Sequence, residues 1–189
     1  MANYTGVNKS TTYFNTVLYT GNGSVRTETG VGFQPDFTWI KDRTGTNAHV
    51  LTDAVRGANY QLYTNLTNAQ TNASGYLTAF ASDGFTLGTD GAINQNSSNY
   101  VAWNWKAGGS GSANTSGSTN STVSVNTTAG FSIVSYTGTG SNATIGHGLG
   151  VAPKMIIIKN RSQSNGWIVG HEELDATNSW HKYIELNSA

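Results

Sequence analysis

Two blocks of sequence decide the fold: TYFNTVLYTGNGS (12–24) and GVGFQPDFTWIKDR (30–43). Both recur further along the chain, as AGFSIVSYTGTGS (129–141) and GLGVAPKMIIIKNR (148–161). The first pair of blocks is offset by 117 residues (Phe14 to Phe131) and the second by 118 (Gly30 to Gly148). Because two matched blocks rarely arise in the same order by chance, we interpret them as a tandem duplication.

The blocks and the segments between them predict short β-strands. Aromatic and β-branched runs bounded by Gly, Pro and Asn are typical of strands and turns. Further runs of this kind are HVLTDAV (49–55), YQLYTNL (60–66), YLTAFAS (76–82), GFTLG (84–88) and YVAWNW (100–105). We therefore expect an all-β fold of antiparallel β-sandwich or jelly-roll-like modules, with the second copy incomplete.

The duplication divides the chain into four parts. We expect an N-terminal extension (1–10), a first module (11–106), a Gly/Ser/Asn/Thr-rich linker (107–124) and a partial second module (125–189). The second copy has no counterpart of GFTLG or YVAWNW. Either the gene product continues beyond this chain, or a neighbouring subunit supplies strands by β-augmentation. The extension 1–10 is the candidate donor strand.

The strand MIII (155–158) is apolar on both faces, which predicts a central buried strand. In YVAWNW, Val101, Trp103 and Trp105 share one face by strand alternation. We expect that Trp face to be core, with a sugar-stacking platform as the alternative.

Composition excludes several classes of function. The chain has 189 residues, ten Lys and Arg against ten Asp and Glu, and no cysteine. Zero net charge argues against a nucleic-acid partner, and the lack of cysteine excludes thiol catalysis and disulfides. No apolar run reaches the roughly 20 residues of a membrane span, so we expect no membrane insertion. The first residues, MANY, lack the basic head and apolar stretch of a Sec-type signal peptide.

Patterns of catalytic residues are also missing. The string HEELD (171–175) lacks the second histidine of the zinc-protease pattern H-E-x-x-H. There is no G-x-S-x-G elbow, and no pair of carboxylates is set in a strongly apolar context as glycosidases require. We therefore expect a non-enzymatic protein with no catalytic, cofactor-binding or metal-binding residues.

The repeated blocks, together with SDGFTLG (82–88) and YVAWNWKAGG (100–109), resemble a module found in virion structural proteins of tailed phages, notably aquatic ones. The resemblance runs from about Phe14 to Arg161. Such proteins are usually described as tail-fibre-like. The resemblance implies a β-sandwich of the lectin-like kind, with a structural or adhesive role and no catalytic residues.

Two sets of residues are candidates for contacts. Aromatic side chains in the less regular segments are possible sugar contacts: Trp167, Trp180, Tyr60 and Tyr63. Cations that end equivalent strands are possible subunit or module contacts, through salt bridges to Asp53 or to Glu172 and Glu173: Lys41, Arg43, Lys159 and Arg161. The alternative is a solvated strand end that protects a sheet edge.

These observations favour a structural protein that self-associates through strand edges and apolar faces. The expected setting is a virion surface, as a tail fibre or surface decoration, or an extracellular filament. Its expected partner is itself, as a homo-oligomer or filament. The alternative is an adhesin that binds a host surface glycan through aromatic and Asn-rich loops.

Overall fold

The computed structural model describes residues 9–175, 177 and 180–188 of the chain. The fold is all-β and sandwich-like, with antiparallel sheets, as the sequence predicts. The first unit is built on a six-stranded sheet with the order β1-β9-β3-β4-β5-β6. Its strands are β1 (Phe14–Thr20), β3 (Phe37–Asp42), β4 (Val50–Asp53), β5 (Tyr60–Tyr63), β6 (Thr71–Asn72) and β9 (Asn99–Trp105).

A second sheet covers one face of the six-stranded sheet. This cover sheet has the order β2-β8-β7 and comprises β2 (Arg26–Thr29), β7 (Leu77–Ala81) and β8 (Gly84–Leu87). A one-turn helix, α1 (Gly91–Asn94), closes the end of the sandwich. The main core lies between these layers, where Tyr19, Ile40 and Tyr100 of the large sheet pack with Phe85 and Leu87 of the cover sheet.

The face of β9 that packs in the core is the one with Tyr100, and not the predicted face with the two Trp residues. Tyr100, Ala102 and Asn104 are completely buried in the sandwich, whereas Trp103 and Trp105 are half-buried on the outer face. The prediction that the Trp face forms the sandwich core is therefore wrong. The core accepts Asn104 because the Thr38 hydroxyl donates to its Oδ1 at 3.1 Å, which satisfies the buried amide oxygen.

The second unit consists of two three-stranded sheets with the orders β10-β11-β12 and β13-β14-β15. The strands are β10 (Ser112–Asn114), β11 (Ser121–Asn126), β12 (Phe131–Tyr136), β13 (Met155–Lys159), β14 (Trp167–His171) and β15 (Ile184–Glu185). The prediction of a linker at 107–124 is wrong for β10 and for the first four of the six residues of β11, which lie within it. Most of the segment is exposed or half-buried, but Ser121, Val123 and Ser124 of β11 are buried.

The two units repeat each other in register as well as in sequence. Met155 pairs with His171 across β13 and β14, as Phe37 pairs with Asp53 across β3 and β4. Hydrogen bonds repeat too: the Asn65 side-chain oxygen accepts from the His49 N–H at 2.8 Å, and that of Asn187 accepts from the Trp167 N–H at 2.6 Å. Strands β12, β13, β14 and β15 therefore correspond to β1, β3, β4 and β5.

The N-terminal extension is described only from Lys9. Lys9 precedes a 3-10 turn at Ser10–Thr12 that leads into β1. Residues 1–8, which carry most of the predicted donor strand, lie outside the described residues. Within the described part of the chain, no helix has the length and apolarity needed to cross a membrane.

Candidate assembly surface on the second unit

The second unit has no described strand at the place that β9 fills in the first unit. There, β9 lies between β1 and β3 and pairs with both along its length. In the second unit β12 pairs with β11, and β13 pairs with β14. No other pairing of β12 or β13 exists among the described residues. One edge of each strand therefore has backbone N–H and C=O groups open to a further strand.

Strand β13 contains the longest run of exposed large apolar side chains among the described residues of this unit. Four consecutive side chains are 38% to 52% exposed: Met155, Ile156, Ile157 and Ile158. Thr38 and Ile40 of β3, the counterparts of Ile156 and Ile158, are each 1% exposed. The prediction of a central buried strand is therefore wrong for the single chain. The apolar run is of the kind that a buried strand needs, but β13 lies at the edge of its sheet. No sheet within the described part of the chain covers it.

Strand β12, the counterpart of β1, also has no cover among the described residues. Tyr19 of β1 is buried, and its hydroxyl donates to the Ile93 carbonyl of α1 at 2.7 Å. Its counterpart Tyr136 of β12 is 41% exposed. Beside it lies a groove of about 520 Å³, lined by Tyr136, Ile145 and the Gly-rich turn 137–141. In the first unit the equivalent turn 20–24 contacts α1, where the Gly23 N–H donates to the Asn94 carbonyl at 2.8 Å.

A cluster of aromatic rings joins the two units. Phe131, the first residue of β12, has its ring centroid 5.6 Å from that of Phe37 and 6.1 Å from that of Trp105. Phe14, the counterpart of Phe131, packs on the same Trp105 ring at 4.7 Å. The outer Trp face of β9 is therefore neither sandwich core nor an open platform at Trp105, since this ring lies in the contact between units.

Trp167 anchors the second contact between the units. Its ring is 4% exposed and packs with Leu51 and Leu62 of the first unit. Its Nε1 donates to the carbonyls of Tyr63 at 2.9 Å and Leu66 at 3.2 Å. The predicted sugar contact at Trp167 is therefore wrong, because a buried ring cannot stack on a pyranose.

The other candidate sugar contacts do not form one platform. Tyr63 is half-buried, and its hydroxyl shares a 2.9 Å hydrogen bond with that of Tyr76. Tyr60, the first residue of β5, is half-buried and lies beside Gly57 of the preceding turn. Trp180 is 41% exposed and packs over the backbone of Gly170 in β14. Trp180 is thus the most accessible ring of the four.

The two candidate lysines hold their own loops instead of forming salt bridges. The Lys41 ammonium donates to the carbonyls of Asp42, Gly45 and Asn47. The Lys159 ammonium donates to the equivalent carbonyls, those of Asn160, Gln163 and Asn165. It also reaches the Thr67 carbonyl of the first unit at 2.9 Å, which makes Lys159 a contact between units. Burial lowers the pKa of Lys159.

The two candidate arginines form hydrogen bonds through their backbone groups. The Arg161 carbonyl accepts from the Gln70 N–H of the first unit at 2.8 Å, and the Arg43 N–H donates to the Asn99 carbonyl. The carboxylates that sequence reasoning assigned to these cations have other partners. Asp53 pairs with Arg56 at 2.5 Å, and Glu172 pairs with Lys154 at 2.6 Å. The predicted salt bridges of the four cations are therefore absent from the described residues.

The loops after β3 and β13 have the same turn, in which the accepting side chain is a carboxylate in one loop and an amide in the other. Asp42 Oδ1 accepts from the N–H groups of Thr44 and Gly45, and Asn160 Oδ1 accepts from those of Ser162 and Gln163. Burial alone would raise the pKa of Asp42, but the backbone N–H donors and the Asn47 amide together lower it. The carboxylate therefore has a structural part in the turn.

The comparison with known families gives one match. The profile of DUF7483, a domain of unknown function, matches residues 9–189. The chain belongs to this family. No curated protein and no solved structure matches it. Both units fall within the single DUF7483 match, whereas residues 1–8 precede it.

The chemistry open to this DUF7483 chain follows from the surface just described. Among residues 9–175, 177 and 180–188, no group of three or more His, Asp or Glu side chains is placed to hold a metal ion. The groove at Tyr136 has no charged residue in its lining. The surface offers apolar side chains and open backbone hydrogen-bonding groups, which are the features of an unpaired sheet edge.

Proposed function

We propose that this protein is a structural subunit that self-assembles through the open strand edges and apolar faces of its second unit. The exposed strand β13 carries the proposal. It presents four large apolar side chains in sequence, on a sheet edge with free backbone groups. Burying such side chains contributes about 25 cal/mol for each Å² removed from water. Pairing the edge also satisfies its N–H and C=O groups.

The contrast between the two units supports the same proposal. The first unit has a strand between β1 and β3, a cover sheet and a helix over Tyr19. The second unit repeats the framework strands but has none of these three among its described residues. Protein strands and a helix fill this surface in the first unit. The open surface of the second unit is therefore suited to bind further protein. No charge is needed for that association, which fits a chain with no net charge.

The setting we propose is a phage virion, as part of a tail fibre or surface decoration, or else an extracellular filament. The support is the resemblance of the repeated blocks to virion structural proteins. A structural subunit of this kind uses no cofactor and catalyses no reaction.

The test is the molar mass of the chain in solution, measured by light scattering over a hundredfold range of concentration. We expect masses that are multiples of 20.0 kDa and that rise with concentration. A mass of 20.0 kDa at every concentration would contradict self-assembly. In that case a glycan array would test the alternative of an adhesin, for which the exposed Trp180 is the first residue to replace.

A further inference from the structure

The place between β12 and β13 has a defined shape, because the first unit shows what fills it. There, β9 runs antiparallel to both neighbours and presents Tyr100, Ala102 and Asn104 to the sandwich core. Tyr100 stacks on Tyr19 of β1, with ring centroids 5.1 Å apart and planes 15° apart. A strand that fills the second place must repeat this alternation of aromatic, small and amide side chains.

The N-terminal residues of the chain carry that alternation. Asn3-Tyr4-Thr5-Gly6-Val7-Asn8 aligns with Asn99-Tyr100-Val101-Ala102-Trp103-Asn104. The aligned strings share the Asn, the Tyr and the second Asn, and each has a small residue two positions after the Tyr. Tyr4, Gly6 and Asn8 thus match the three residues of β9 that face the core. We call residues 3–8 the arm.

The arm also has the required length and position. Six residues in extended conformation span about 20 Å, which suits strands of five and six residues such as β13 and β12. The arm directly precedes the DUF7483 match, which begins at residue 9. In the single chain Met155 to Ile158 stay exposed, so the place next to β13 is available to a second copy.

We infer that the arm of one copy inserts between β12 and β13 of a second copy, as a donated strand in the place of β9. This inference rests on the proposed self-assembly and names its donor and acceptor. The register follows from that of β9: Trp103 lies opposite Thr16 and Trp39. Val7 therefore lies opposite Ile133 and Ile157, and Tyr4 lies opposite Tyr136, where it repeats the Tyr19–Tyr100 stack.

Cysteine trapping tests this register, since the natural chain has no cysteine to interfere. The test chain carries Val7→Cys and Ile157→Cys, which the register places directly opposite each other. The matched control carries Val7→Cys and Ile158→Cys, whose side chains point to opposite faces of the sheet. Both proteins are oxidised under the same conditions and run on a denaturing gel without reductant.

The expected result is a ladder of covalent dimers, trimers and longer chains for the 7/157 variant, and mostly monomer for the 7/158 control. An internally linked monomer would overturn the inference, because the arm would then lie on its own chain. Equal cross-linking in the two variants, or no cross-linking in either, would also overturn the inference. The alternative place for the arm is the free edge of β1. Light scattering on the reduced 7/157 variant tests the proposed self-assembly separately. If this variant assembles but does not cross-link on oxidation, only the inference about the arm is refuted.

Discussion

The double substitution Ile156→Lys/Ile158→Lys is expected to reduce the assembled protein to a monomer of 20.0 kDa. Both side chains lie on the same face of β13 and are 38% and 45% exposed in the single chain. In the assembly they would be buried, and two ammonium groups there would lack partners, which costs several kcal/mol for each buried charge. The free energy of unfolding of the monomer should change by less than about 1 kcal/mol, as is usual for exposed positions.

The matched control is Val25→Lys/Val151→Lys. It adds the same two charges at apolar residues that are 67% and 71% exposed and lie outside the strands of both units. This variant should assemble like the natural chain when molar mass is measured by light scattering at equal concentration. If both variants remain assembled, or both become monomeric, β13 is not the assembling surface.

Trp167→Ala is expected to lower the free energy of unfolding by about 3–5 kcal/mol, the usual cost of truncating a buried large aromatic side chain. The ring is 4% exposed and fills the space between Leu51, Leu62 and Leu186. Trp167→Phe retains most of this packing but loses the two hydrogen bonds from Nε1, so its cost should be smaller, about 1–3 kcal/mol. Urea denaturation measures both values.

Trp180→Ala is the control for this prediction, since its ring is 41% exposed. Its free energy of unfolding should stay within about 0.5 kcal/mol of the natural value. A small effect of Trp167→Ala, similar to that of Trp180→Ala, would show that the contact between the units contributes little to stability.

The duplicated framework could be predicted from sequence because its signals are local. Turn glycines and alternating strand residues occur in both copies, and the structure places them alike: Gly32 and Gly150 have φ values of +87° and +76°. The all-β class follows from the same patterns. Strands β2, β6 and β10 were not predicted because they are short and polar, with the sequences RTET, TN and SAN. A Ser/Asn/Thr-rich string such as that around β10 has the composition of a linker as well as of an edge strand.

The burial of individual side chains could not be predicted, because it depends on neighbours that are distant in sequence. Alternation places Trp103 and Tyr100 on opposite faces of β9, but does not say which face meets the cover sheet. Likewise, Trp167 resembles an exposed loop aromatic until β5 and its following turn supply acceptors for its indole N–H. Strand β13 is apolar enough for a buried strand, but the neighbours that would bury it are not among the described residues.

Amide hydrogen exchange of Met155–Lys159 as a function of protein concentration tests the central claim most directly. Strand β9 provides the internal control, because it is paired on both edges in the single chain and should exchange slowly at every concentration. The account predicts that amides of β13 exchange fast in dilute protein and become protected as light scattering reports assembly. Fast exchange of β13 in a fully assembled sample would contradict it, since association would then use another surface.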